Sequence, residues 1–191
     1  DAYNGKAYSY FLKGMNLGKG LEAVEKGLKL RPRYPYLLGT KAELLYKLKR
    51  IDESNEYIEK IVLTNPDSRL LARFGFEQQK LGNYDLAEKY YNESVKIDPK
   101  NAEVICNMGL IYAWKKEYDK ATGYYTEVIK ILPNDFRGHY NIGVIYHNMG
   151  NKAGALAQVA KLRELKYDDY ANELEDTINS NKVVIGKGRF K

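Results

Sequence analysis

The chain has 191 residues, of which 44% are hydrophobic and 29% charged, with a formal net charge of +6. That balance excludes an intrinsically disordered protein, and no apolar run approaches the roughly 18–20 residues needed to span a bilayer. Cys106 is the single cysteine, which excludes an internal disulfide framework but leaves the compartment open, with cytoplasm ahead of periplasm. Residues 1–50 carry eleven Lys or Arg against four Asp or Glu, whereas residues 51–180 carry sixteen against twenty-one. One end is therefore basic and the body mildly acidic. We read the basic end as a solvated, Lys-rich helix surface rather than a specific nucleic-acid site. The chain starts at Asp1 rather than Met, as expected if a leader, anchor or partner domain has been removed.

In chain order the sequence falls into five units near 1–34, 35–67, 68–101, 102–135 and 136–169. Pro32, Pro66, Pro99 and Pro133 mark the period, 34, 33 and 34 residues apart. Each unit is expected to be a pair of helices, and a period of this length predicts a stacked array in which each unit buries its apolar face against the next. The first unit carries Tyr8 at its mid-helix small position, with Gly14 and Gly20 expected inside its helices, so it is predicted to be the loosest. The fourth unit shows the pattern best. Val104, Ile105, Met108, Ile111 and Tyr112 place one apolar face on a helix over 102–116. A polar turn at 117–119 and a second helix to about 131 follow, stopped by Pro133. The fifth unit repeats this over 136–150 and 151–165, with Tyr167 where the closing Pro is due.

Small residues recur at both places where paired helices must approach: Ala42, Gly75, Gly109 and Gly143 in the first helices, and Gly20, Ser54, Ala87, Ala121 and Ala155 in the second. Phe74, Tyr84, Tyr91, Tyr112, Tyr118, Tyr125 and Tyr146 are expected to fill the layers between them. Residues 167–180 read as an amphipathic capping helix, with Tyr170, Leu174 and Ile178 on one stripe. Residues 181–191 read as a basic, flexible tail, so the array as a whole spans 1–180.

A mid-helix small residue, Tyr three on, a small residue nine further and Pro twelve beyond are met by Gly109, Tyr112, Ala121 and Pro133. This pattern resembles the tetratricopeptide repeat (TPR), closely in the last three units and less so in the first two. The resemblance implies an all-α fold, a right-handed superhelical α-solenoid of about five helix-turn-helix repeats plus the capping helix. It also implies a non-catalytic scaffold or adaptor whose concave groove holds an extended peptide or partner segment. Carried onto this chain, the family's groove positions are Arg69, Arg73 and Phe76; Asn107 and Leu110; and Arg137, Tyr140, Asn141 and Val144, with Lys6, Ser9, Tyr36, Thr40 and Glu43 from the first two units. Arg69 and Arg73 are like charges one turn apart, which is unfavourable unless something anionic lies between them, and so suggest an acidic or C-terminal peptide. The five-residue carboxylate clamp of one family subtype falls on Gly5, Ser9, Thr40, Arg69 and Arg73 or on Ala72, Phe76, Asn107, Arg137 and Asn141; neither set is complete, and chaperone C-termini are not expected.

Catalytic signals are thin. His139 and His147 lie eight residues apart, roughly 12 Å along a helix, too far to share an ion. His139 is expected to be a packing residue. No HExxH or CxxC spacing is present, so no metal and no cofactor is expected. The glycines of 14–20 and 186–190 lack phosphate-loop spacing, and Cys106 reads as a buried, inert thiol. Two functions compete: the peptide-binding scaffold, and an accessory domain of a larger enzyme or membrane assembly such as a glycosyltransferase or polysaccharide-export component.

Overall fold

The computed structural model describes residues 2–64, 66–180 and 183–184, and among them there are helices and no strand. They are α1 (Ala2–Lys13), α2 (Leu17–Leu30), α3 (Pro35–Lys47), α4 (Ile51–Thr64), α5 (Ser68–Lys80), α6 (Tyr84–Ile97), α7 (Ala102–Trp114), α8 (Tyr118–Ile131), α9 (Phe136–Asn148), α10 (Lys152–Glu164) and α11 (Asp168–Ser180). The chain is an all-α helical-repeat solenoid, as its period predicts. Of the expected tail 181–191, only Val183 and Val184 lie among the described residues.

The helices divide into two compact units, residues 1–74 and 75–191, with the boundary inside α5. In the first unit α1 packs on α2, α2 on α3 and α3 on α4, around Ala7, Val24, Leu37, Leu44 and Leu45. In the second, α7 pairs with α8 and α9 with α10, with further contacts of α8 on α9 and of α11 on both α10 and α9. Two apolar clusters fill it, one around Ile105, Tyr125 and Ile145 and one around Tyr140, Val159 and Leu174. Fully burying a Leu or Ile of this kind contributes about 1.5–3 kcal/mol.

Helix starts follow local chemistry. Pro35 opens α3, where its missing N–H costs nothing. Asn101, Asp135 and Asn151 cap α7, α9 and α10 by accepting the N–H of Val104, Arg137 and Gly154. The turn after each first helix shares one device. Gly14, Lys49, Gly82, Lys116 and Gly150 sit there with φ between 60° and 80°. In the last four turns a backbone N–H reaches back five residues to a carbonyl, as from Arg50 to Leu45 at 2.9 Å and from Glu117 to Tyr112 at 2.9 Å.

Two expectations shift accordingly. Gly14 lies in the first turn rather than within a helix, so its left-handed conformation is an asset. The turn expected at 117–119 spans 115–117, because Lys116 takes the left-handed position and α8 starts at Tyr118. Phe74, Tyr91 and Tyr125 are core residues as expected, and Tyr90 joins them wholly buried. Tyr84, Tyr112, Tyr118 and Tyr146 are only half-buried. The Tyr112 hydroxyl donates to Glu88, while Lys115 Nζ bonds Asp85 at 2.8 Å and Glu88 at 2.9 Å, tying α7 to α6 through polar contacts.

Candidate functional site

In the first unit, α1, α3 and the start of α5 enclose an open cleft of about 700 Å³. Its lining includes Asn4, Tyr8, Tyr34, Tyr36, Thr40, Glu43, Asp67, Arg69 and Arg73. Thr40 donates its hydroxyl to Asn4 Oδ1 at 2.8 Å, crosslinking α3 to α1 at the floor. Tyr34 and Tyr36 form a tilted ring pair with centroids 5.6 Å apart, and Tyr36 stays 56% exposed.

The charges of this cleft are mostly spent internally. Glu43 is buried on α3, and its carboxylate pairs with the Arg73 guanidinium. Asp67 caps α5 by accepting the Leu70 N–H at 2.9 Å. Arg69 is exposed and has no ion-pair partner among the described residues. Of the two arginines one turn apart, Arg73 thus has its anion in Glu43 of the same unit. Tyr36, Thr40, Glu43, Arg69 and Arg73 line the cleft as the register placed them, whereas Lys6 and Ser9 do not. Ser9 instead returns its hydroxyl to the Lys6 carbonyl at 2.8 Å. Sequence reasoning missed Tyr8, Tyr34 and Asp67, for which the only signal was their place beside Pro35 and Pro66 or one helical turn along α1.

In the second unit, Phe76 is half-buried under the ammonium of Lys80, 5.6 Å from the ring centroid. Asn107 and Leu110 lie on α7, 2% and 7% exposed. Asn107 Oδ1 is buried with no hydrogen-bond partner among the described residues. Such an orphan acceptor costs about 1–3 kcal/mol.

The four α9 residues are enclosed rather than open to a groove. Arg137 is folded back on Asp135, with Nε donating to Oδ1 at 2.7 Å. Burial raises the pKa of the Asp135 carboxyl, but the bonds from Arg137 outweigh this and hold it below its ordinary value. Tyr140 donates to Glu173 of α11 at 2.8 Å, and burial together with that bond pushes its phenol pKa up. Asn141 donates to Cys106 Sγ at 3.5 Å, and Val144 is 1% exposed. For Tyr140 and Val144 the physical reason is α11, which packs Leu174 and Ile178 into the same cluster.

His139 is a packing residue as expected, 8% exposed with Nδ1 2.9 Å from Gln158 Oε1. Cys106 is buried, and burial pushes its thiol pKa up to about 12, leaving it protonated and unreactive at neutral pH. Among the described residues no group of three or more His, Cys, Asp or Glu side chains is placed to hold a metal ion.

Stacked helix pairs, recurring small crossing residues and an open inner face define a helical-repeat protein. Two family models described as tetratricopeptide repeat match residues 68–101 and 102–135, and those two stretches are tetratricopeptide repeats. Among curated proteins it is similar to the mouse (Mus musculus) protein O-mannosyl-transferase TMTC1, at 32% identity over 87 residues. That match covers 43% of this chain and 9% of the transferase. Among solved structures it is similar to YrrB, described as a TPR protein with an unusual peptide-binding site, at 20% identity and a TM-score of 0.71 over 91% of this chain and 90% of that one. A MamA structure superposes at 20% identity and a TM-score of 0.67, covering 91% and 96%. MamA from Desulfovibrio magneticus RS-1 gives 17% and 0.69, covering 87% and 94%. At these identities the likeness is one of fold. Tetratricopeptide-repeat proteins are in general interaction scaffolds that bind protein or peptide partners, and no described helix is long and apolar enough to cross a membrane.

Proposed function

We propose that this protein is a non-catalytic interaction module whose first unit holds an extended, acidic peptide segment. The cleft between α1, α3 and α5 carries the reading: it is open, about 700 Å³ in volume, and lined by Tyr8, Tyr34 and Tyr36 beside one uncommitted guanidinium. A peptide laid along it rests apolar side chains on the rings and meets Arg69 with a carboxylate through a charge-assisted bond. Arg73 takes part as a neighbouring cation on the cleft wall, held in place by its pair with Glu43. Phe76, which is half-buried, is proposed as a separate contact on the second unit, whereas Asn107 and Leu110 are as enclosed as the α9 residues. Tyr140 and Val144 serve as the seat of α11, while Arg137 and Asn141 hold Asp135 and Cys106.

The test is a titration of fluorescent acidic peptides, including free C-termini, against the protein and an Arg69→Glu variant. Affinity should fall at least tenfold in the variant while helical content is unchanged. Equal affinities would remove the cleft from consideration. A second reading, an accessory domain of a larger enzyme or membrane assembly, is favoured by the partial match to a far longer mannosyltransferase.

A further inference from the structure

The end of α9 carries a feature independent of the cleft. Asn148, one turn beyond Val144 on α9, meets the backbone of Val184 twice. Its Nδ2 donates to the Val184 carbonyl at 2.8 Å, and its Oδ1 accepts the Val184 N–H at 3.4 Å. One planar side-chain amide reaches both groups only if the N–H and C=O of that residue point the same way. That is the disposition of a strand residue exchanging both bonds with its ladder partner. The neighbouring side chains agree, since Val184 packs on the cluster of Tyr140, Val144, Leu174 and Ile178 whereas Val183 is 80% exposed. Successive side chains turning to opposite sides are the mark of extended chain.

We infer that Asn148 and the apolar surface beside it form a strand-reading site, specific for one β-branched apolar residue within an extended segment, and that the chain's own Val184 is its resident occupant. The amide supplies the donor and acceptor that an edge strand would offer, and the cluster selects an apolar side chain. Backbone recognition makes the site indifferent to charge, in contrast to Arg69 in the first unit. Tethering favours the resident residue, because attachment to the same chain makes its binding intramolecular and raises its effective concentration. An outside segment enters when Val184 leaves.

The test uses the full chain and a synthetic peptide with the sequence of residues 180–188, followed through the Asn148 side-chain amide resonances. Val184→Asp empties the site without touching it, so the peptide should shift those resonances at concentrations at least tenfold lower than in the unsubstituted protein. Hydrogen exchange supplies a second readout, in which Asn148→Ala should speed exchange of the Val184 amide at least fivefold while α9 and α11 amides keep their protection. The inference is overturned if the peptide acts equally on both proteins, or if Val184 exchanges at the same rate with and without the Asn148 amide.

Discussion

The same residue type plays opposite parts at different positions of this chain, as its glycines show. At Gly109 an added Cβ would lie 2.6 Å from Cε1 of Tyr125, a wholly buried ring with little room to withdraw. At Gly123, on the exposed side of α8, an added Cβ meets nothing within 4 Å. Overpacking costs about 1–3 kcal/mol, whereas replacing a solvent-facing helical Gly by Ala gains about 1 kcal/mol. Gly109→Leu should therefore lower the melting temperature and Gly123→Ala should raise it, both measured by circular dichroism. Melting of Gly109→Leu at the parental temperature would place the helix crossing elsewhere. Glu43 is the counterpart among charged residues, a buried carboxylate held by Arg73. Deleting that arginine strands a charge, which typically costs 3–5 kcal/mol for a buried pair. Arg69 is consequently the cleaner probe of binding.

At the scale of elements, most helices were legible because Pro and the recurring small residues punctuate them. The left-handed Lys49 and Lys116 were not, since lysine carries no conformational signature and only comparison with Gly14, Gly82 and Gly150 reveals the shared turn. Of the positions the register proposed in the first unit, Tyr36, Thr40, Glu43, Arg69 and Arg73 line the cleft. The Glu43–Arg73 pairing stayed hidden because it depends on how α3 and α5 lie side by side, not on spacing along either. The enclosure of Tyr140 and Val144 escaped notice for a similar reason: the capping helix is legible over 167–180, but the face of α9 that it covers depends on packing and not on the repeat. That covering is a real part of the fold. Leu174 is wholly buried, and Leu174→Ala should destabilise the protein by about 2–5 kcal/mol in urea titration. A loss below 0.5 kcal/mol would mean that α11 rests on α9 without contributing to its stability.

For the molecule as a whole, charge is partitioned along the chain, with the excess of Lys and Arg concentrated in residues 1–50. Counterion release makes any nucleic-acid affinity of such a surface fall linearly with the logarithm of salt concentration. Binding to unrelated RNA sequences should therefore be equal within twofold and vanish between 50 and 200 mM salt in a filter assay. A preference above tenfold for one sequence would assign that end a reading role. The first unit has a further consequence in the way α3 divides its labour. Leu37, Leu44 and Leu45 pack in the core of the unit, while Tyr36, Thr40 and Glu43 line the cleft. Two alphabets are thus interleaved on one helix, one spelling the scaffold and the other the tenant. On the proposed reading, guest preference is rewritten at Tyr36 or Arg69 with the architecture left standing, which makes this cleft a natural starting point for retargeting by substitution.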